Sequence, residues 1–411
     1  MRPGFAPFVA VCSLNASIAG LAIPMLPIII EALASSNHMN SKILGLLAFL
    51  ELGGAAVTSI AVSWQIRKFN AATLCACGSL LLAAADLGSA FAVASPEILL
   101  PFRLVAGIGT GLMSAGMLAL VARVPNPEQM YGILGFAPCI SASLGFTVAP
   151  NLIHITGNAA GVFAFWGFFA VLNAICMVAY RRQLIDFVET AVRDRAQKRK
   201  ERDSLPVAAG LNVVRTSDQI GPGVLFLSLG SISLLAFCDA AIWAFVGPIG
   251  EQTGLSIEGL SRVLIITAIV ACLGPLLAAR LGTRFGVLPP LVIGQVTMIV
   301  LSLLMVLTRQ YLLYGAALAL RVVAVLFLVP RYSGLFARID PVGRVVAAAA
   351  GCQGIAYGVG PLIGGQVIAL SEGSFLILGL TAAAASGISL LMTLVLVTHR
   401  NRTADIQAVQ N

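Results

Sequence analysis

Twelve times between residues 5 and 398 the sequence runs for about twenty residues with almost no charge, and short joints containing polar residues, Gly or Pro separate the runs. A helix rising 1.5 Å per residue needs about twenty apolar residues to cross a ~30 Å hydrocarbon layer. Inside lipid every backbone donor must find a partner within the protein. A helix achieves this within one short segment, so the runs read as helices rather than barrel strands. Of the 411 residues, 59% are hydrophobic and only 10% are charged, whereas a soluble domain is about 25% charged. The expected fold class is an all-α polytopic membrane protein. The predicted spans are 5–30, 43–66, 71–94, 98–122, 130–153, 159–180, 223–247, 260–280, 287–307, 311–330, 345–369 and 374–398.

Lys and Arg are distributed unevenly between the joints. With both termini on the cytoplasmic side, twenty lie inside, three (Lys42, Arg262, Arg309) lie outside, and two (Arg103, Arg321) fall within helices. That asymmetry is the positive-inside signal. The formal charge of +8 is therefore read as an orientation signal, not as a nucleic-acid footprint. The basic inner loops predict residence in a plasma membrane of bacterial inner-membrane type. Ala32-Leu33-Ala34 imitates a signal-peptidase site, but the apolar run before it is longer than the 7–15 residues of a signal h-region.

The longest polar stretch begins at Arg181 and divides the spans six and six. The predicted organisation is a bundle over 1–180, a cytoplasmic linker over 181–222, a second bundle over 223–398 and a tail over 399–411. Leu184, Phe187, Val188, Ala191 and Val192 recur at helical spacing, which predicts an interfacial helix with its basic residues toward anionic lipid; a solvated linker is the alternative. The halves echo one another: Arg103 with Arg321, Pro150 with Pro361, and Pro27 with Pro248 stand at offsets of 218, 211 and 221. Two related six-helix units with a site between them near the midplane are a recurring transporter plan.

Three motifs sharpen this reading. "RLVAGIGTG" from Arg103 places an arginine before a series of small residues, and Gly360-Pro361-Leu362-Ile363-Gly364-Gly365 forms a Gly-Pro-x-x-Gly-Gly core in the eleventh span. The third is the long central cytoplasmic loop between six spans and six. With these, the chain resembles the major facilitator superfamily over nearly its whole length. The resemblance implies twelve transmembrane helices in two six-helix bundles related by a pseudo-two-fold axis, with alternating access. In that family the Gly-Pro motif is associated with proton antiporters and usually lies in helix 5, where this chain has only "GFTVAP" ending at Pro150. The acidic position of the loop motif is also altered, with Arg67 in "SWQIRKFN" and Thr283 in "ARLGTRFG". The small residues Gly358, Gly360, Gly364 and Gly365 let neighbouring helices approach, and Pro361 and Pro150 allow bending. A moving interface is the expected use of this surface, and static close packing is the alternative.

Five ionisable side chains lie inside the predicted spans: Glu51, Asp86, Arg103, Asp239 and Arg321. Each costs at least about 2.5 kcal/mol at a bilayer centre and is a functional candidate by default. Two arginines neutralise two carboxylates, leaving one carboxylate able to take up and release a proton. The resembled fold lines its central cavity with helices 1, 4, 7 and 10, which implies that Arg103, Asp239 and Arg321 reach it. Asp239 is the first candidate for the proton carrier and Glu51 the second, with Asp86 a structural partner of Glu51 or Arg103. Asn15, Ser17, Trp243, Gln353 and Tyr357 are candidate cavity contacts.

The expected function is proton-coupled secondary transport of a small molecule, most simply export of amphipathic compounds or metabolites by antiport. The competing expectation is uptake or exchange of a small organic anion, with Arg103 and Arg321 gripping a carboxylate. No cofactor or metal is expected, the proton gradient being the energy source; the partners are substrate, protons and the bilayer, and the chain is expected to be monomeric. An embedded hydrolase or acyltransferase needs a clustered His/Asp/Ser or metal set, and the three His and eight Cys are scattered. No GxxxxGK[ST] loop is present, which excludes intrinsic ATP-driven transport.

Overall fold

The computed structural model describes residues 5–65, 69–121, 124, 127–190, 193, 221–281, 286–339 and 344–410, and none of these residues lies in a strand. The first half comprises α1 (Phe5–Ala19), α2 (Ala22–Asn37), α3 (Ser41–Gln65), α4 (Ala71–Ala92), α5 (Pro96–Val121), α6 (Pro127–Thr156) and α7 (Ala160–Ala179). Residues 181–190 form α8. The second half comprises α9 (Pro222–Ala244), α10 (Val246–Glu251), α11 (Ile257–Ala271), α12 (Leu273–Leu281), α13 (Leu288–Leu307), α14 (Tyr311–Ile339), α15 (Arg344–Leu370) and α16 (Phe375–Gln410). Eleven of the described spans are long and apolar enough to cross a membrane. The remaining predicted crossing is the glycine-rich α15, 27 residues long and packed between α3 and α9.

Three crossings are broken, each for the same reason. Among the described residues the helices are interrupted at Gly20–Leu21, at Phe245 and at Cys272, although Leu21 and Cys272 keep right-handed helical dihedrals. In each case a proline stands three residues after the last interrupting position: Pro24, Pro248 and Pro275. Proline has no N–H to donate, and its ring collides with the carbonyl four residues earlier. The sequence comparison paired Pro27 with Pro248. The structure keeps Pro27 inside α2, so the residue equivalent to Pro248 at a break is Pro24. The first crossing also runs to Asn37 rather than stopping at residue 30. Glu31, one residue past the predicted end, is inside it.

In the first half α4 packs on α5 and α7, α3 packs on α5, and α1 packs on α5, α6 and α7. In the second half α9 packs on α15 and α16, α13 on α14 and α16, and α14 on α11 and α12. The halves meet along α3–α15 and α6–α11, and α2 touches α9, α10 and α11.

The glycines of α15 fall on two faces. Toward α3, a Cβ on Gly358 would stand 2.7 Å from the Gly53 amide nitrogen, and one on Gly365 would run into the Ser41 carbonyl. From the other side, Gly45 lies against the Pro361 carbonyl. Toward α9, a Cβ on Gly360 would stand 2.8 Å from the Ala240 Cβ, and one on Gly364 3.2 Å from the Phe245 ring. The motif thus lets two backbones approach α15, one from each half. Toward the Arg344 end, Gly354 and Gly351 meet only side chains, those of Ala56 at 3.3 Å and Ile60 at 3.5 Å. The α3–α15 seam is backbone-tight at the Ser41 end and looser beyond its middle.

The linker helix α8 turns its apolar face onto the first half. Leu184 and Val188 are buried with Phe8 and Val11, and the Phe187 ring lies 4.8 Å from that of Phe8. Arg181 and Arg182 are exposed. Ala191, Val192 and residues 194–220 lie outside the described residues.

Candidate functional site

Arg103 is the centre of a buried cluster in the first half. It enters from α5, and α4 supplies Asp86 and Ser89, which share one helix face because they are three residues apart. A guanidinium nitrogen lies 2.7 Å from the Asp86 carboxylate. Its Nε donates to Ser89 Oγ at 3.1 Å, and Nη2 donates to the same oxygen at 2.6 Å and to the Ala85 carbonyl at 3.3 Å. The Phe163 ring from α7 lies under the guanidinium, 4.5 Å away. Glu51, from α3, stands 3.6 Å from Nη1, an ion pair at longer range than a hydrogen bond. Glu51, Asp86, Arg103 and Thr110 border a cavity of about 30 Å³ together with Met25, Phe163 and Trp166. Most of its wall is apolar, including Ile18, Leu21, Ile29 and Leu82, but a cavity of that size has room for a water, and the polar groups on one side can bond it.

Arg321 occupies the equivalent place in the second half. It enters from α14, with Nη1 2.9 Å from the Asp239 carboxylate of α9. Its Nε donates to Ser302 Oγ of α13 at 3.1 Å, the same bond at the same distance as Arg103 makes to Ser89. Its Nη2 donates to the Cys238 and Asp239 carbonyls, each at 3.2 Å. Tyr357 of α15 donates to the second Asp239 oxygen at 3.1 Å, and Gln353, one turn earlier, lies beside the Tyr357 hydroxyl.

The five predicted charges therefore fall into two groups. Arg103 gathers two carboxylates and Arg321 gathers one. Both arginines are closed off, at 1% and 0% exposure, and their forks are filled by groups of their own half. The structure brings Asp86 to Arg103 and leaves Asp239 to Arg321. The two serines were not singled out from the sequence, since a serine in a membrane helix commonly bonds its own backbone.

The predicted cavity contacts separate in the same way. Asn15 is fully buried; it donates to the Met113 carbonyl at 3.4 Å and accepts from Asn173, which also donates to Ser79 at 2.7 Å. A matching layer in the second half joins Gln295 to Tyr332 and to Ser389, and Tyr332 to Thr393. Ser17 is half-buried. Trp243 crosses between the halves, its indole N–H donating to the Ile23 carbonyl at 2.7 Å. Pro150 lies within α6 beside the buried Ala149. Between α9 and α15 an apolar recess of about 330 Å³ is lined by Leu234, Phe237, Cys352 and Ile355, among others. Among the described residues no group of three or more His, Cys, Asp or Glu is placed to hold a metal ion.

Comparison with known proteins agrees with this architecture. The family model of the Major Facilitator Superfamily matches residues 9–238. No curated protein matches the chain in sequence. Among solved structures, a bacterial homologue of the human lysosomal transporter Spinster, inward-facing and occupied, superposes with a TM-score of 0.71 at 14% identity, over 97% of this chain and 98% of that one. The inward-open xylose transporter XylE from E. coli gives 0.68 at 16% identity, over 93% and 94%. The nucleoside transporter NupG gives 0.67 at 11% identity, over 95% and 99%. At these identities the likeness concerns the fold.

Proposed function

The chain belongs to the Major Facilitator Superfamily, and from that premise we propose that it is a proton-coupled antiporter exporting small amphipathic compounds by alternating access. Family membership makes it a transporter rather than an enzyme. The observation that carries the coupling is the charge imbalance around Arg103: one buried arginine serves two buried carboxylates. Asp86 holds the short contact, and Glu51 stands farther off beside a cavity with room for a water. Glu51 can therefore gain or lose a proton while the Asp86–Arg103 pair stays intact. This favours Glu51 as the proton carrier, with Asp239 second, the reverse of the order suggested by the sequence. Asp239 has a full arginine of its own.

The recess between α9 and α15 supports an apolar or amphipathic substrate. The filled forks of Arg103 and Arg321 weigh against an organic anion, because a substrate carboxylate would have to displace an internal acid from each. The skew of Lys and Arg supports cytoplasmic termini in a bacterial inner membrane, with the Asn37 end of α2 facing out, and the transporter works as a monomer on this reading.

Proton flux in energised inside-out vesicles tests the proposal, using a panel of amphipathic drugs and organic acids. Substrate-triggered proton release is expected in the wild type, lost in Glu51→Gln and retained in part in Asp239→Asn. Release that survives Glu51→Gln and disappears in Asp239→Asn would move the coupling site to α9. Silence with every drug, together with protonophore-sensitive uptake of an organic acid by cells, would establish the competing function.

A further inference from the structure

Glu31 lies at a junction of the two halves and belongs to neither arginine cluster. It is 93% buried in α2, being 7% exposed, and its Oε2 has no hydrogen-bond partner. No cation pairs with it among the described residues. Its neighbour across the junction is α10, where Gly247 leaves the space it fills: a Cβ there would stand 2.7 Å from the Glu31 Cβ and 2.8 Å from Oε2. The Trp243–Ile23 bond closes the same side of the molecule.

The charges around Glu31 give it no counter-ion. From α10, Glu251 adds charge of the same sign. From α14, Tyr314 is near, but its hydroxyl is committed to the Val246 carbonyl. Lys42 on α3, His154 on α6, and Glu258 and Arg262 on α11 are exposed. Glu51 on α3 and Asp239 on α9 are held by Arg103 and Arg321. An ionised carboxylate buried without a partner is far costlier than a neutral carboxyl.

From this geometry we infer that Glu31 is a second proton-binding site, which must be protonated for the two halves to close at the Asn37 end and which releases its proton as that end opens. The inference rests on alternating access but not on which carboxylate drives transport. Closing takes up one proton, so acid favours the closed form and alkali the open one. The ratio of open to closed molecules rises by up to about tenfold per pH unit.

The test is a distance measurement by electron–electron double resonance, with spin labels at Ser36→Cys and Gln310→Cys in a cysteine-free background. The protein is held in lipid nanodiscs without substrate or gradient. The wild type is expected to give short separations at pH 5.5 and a growing long component up to pH 8.5, whereas Glu31→Gln stays short throughout. Glu251→Gln, a surface change that leaves the fold alone, lowers the long component at high pH, and it serves should Glu31→Gln fail to fold. The response persists in Glu51→Gln, which separates this site from the coupling site. A wild type indifferent to pH, a Glu31→Gln variant that opens like the wild type, or a response abolished by Glu51→Gln would each overturn the inference.

Discussion

The indole N–H of Trp243 donates to the Ile23 carbonyl at 2.7 Å, and the two residues belong to opposite six-helix halves. The acceptor lies just beyond the break in the first crossing, where the chain has resumed a helix in α2, and the donor lies just before the break at Phe245. Trp243→Phe keeps most of the ring and removes the bond. A lost hydrogen bond of this kind is worth about 1 kcal/mol, roughly a fivefold change in an equilibrium. The open fraction at the Asn37 end should rise by about that factor, read with the same pair of spin labels.

Gly365→Ala should destabilise the α3–α15 seam, because the new methyl meets the Ser41 carbonyl and two helix backbones have to part. Overpacking of this kind costs about 1–3 kcal/mol. Gly387→Ala is the control, since nothing lies within 4 Å of its added methyl. Melting in detergent should fall for the first variant and stay level or rise for the second.

The two acids at Arg103 should behave differently when neutralised. Asp86→Asn breaks the 2.7 Å pair and leaves Arg103 with only the more distant Glu51, so it is expected to lower stability by about 1.5–3 kcal/mol, the cost of losing a charge-assisted hydrogen bond. Glu51→Gln leaves that pair in place and should melt within about 1 kcal/mol of the wild type, because the lost contact is the longer one. Its defect should appear in proton coupling. Equal loss of stability in both variants would remove the distinction.

Arg321 and Asp239 form a closed pair, so single and double variants should not add. Asp239→Asn or Arg321→Gln alone leaves a buried charge and should cost about 3–5 kcal/mol. The double variant leaves none and should recover part of that, giving a coupling of about 1–3 kcal/mol in a melting cycle. Arg321→Lys is a weak discriminator between substrates, because the internal bonds from Nε and Nη2 are lost with either.

The crossings were legible because lipid demands long apolar runs, and the five charges stood out because each is costly there. What escaped was set by neighbours in space. Glu31 escaped because a charge near the end of an apolar run is naturally taken as the end itself. The break at Gly20–Leu21 was obscured by two prolines three residues apart, of which Pro24 disrupts the helix and Pro27 is accommodated. The division of the carboxylates between the arginines could not be read from their order along the chain, and neither could the roles of Ser89 and Ser302. Arg103 finds Asp86 on the adjacent helix, whereas Arg321 passes over its sequence neighbours to reach α9.

That last contrast bears on how the protein is made. Glu51 and Asp86 precede Arg103 in the chain, and Asp86 is separated from it by 17 residues. Arg103 emerges with the crossing after Asp86, so spans two to four can leave the insertion machinery with their arginine already paired. Asp239 must wait 82 residues for Arg321, with α10, α11, α12 and α13 made in between. The second half therefore carries an unmatched acid through nearly half of its synthesis. Its charge pairing completes only when the tenth crossing is delivered, so a chain truncated before Arg321 should be recognised as unfinished by membrane quality control.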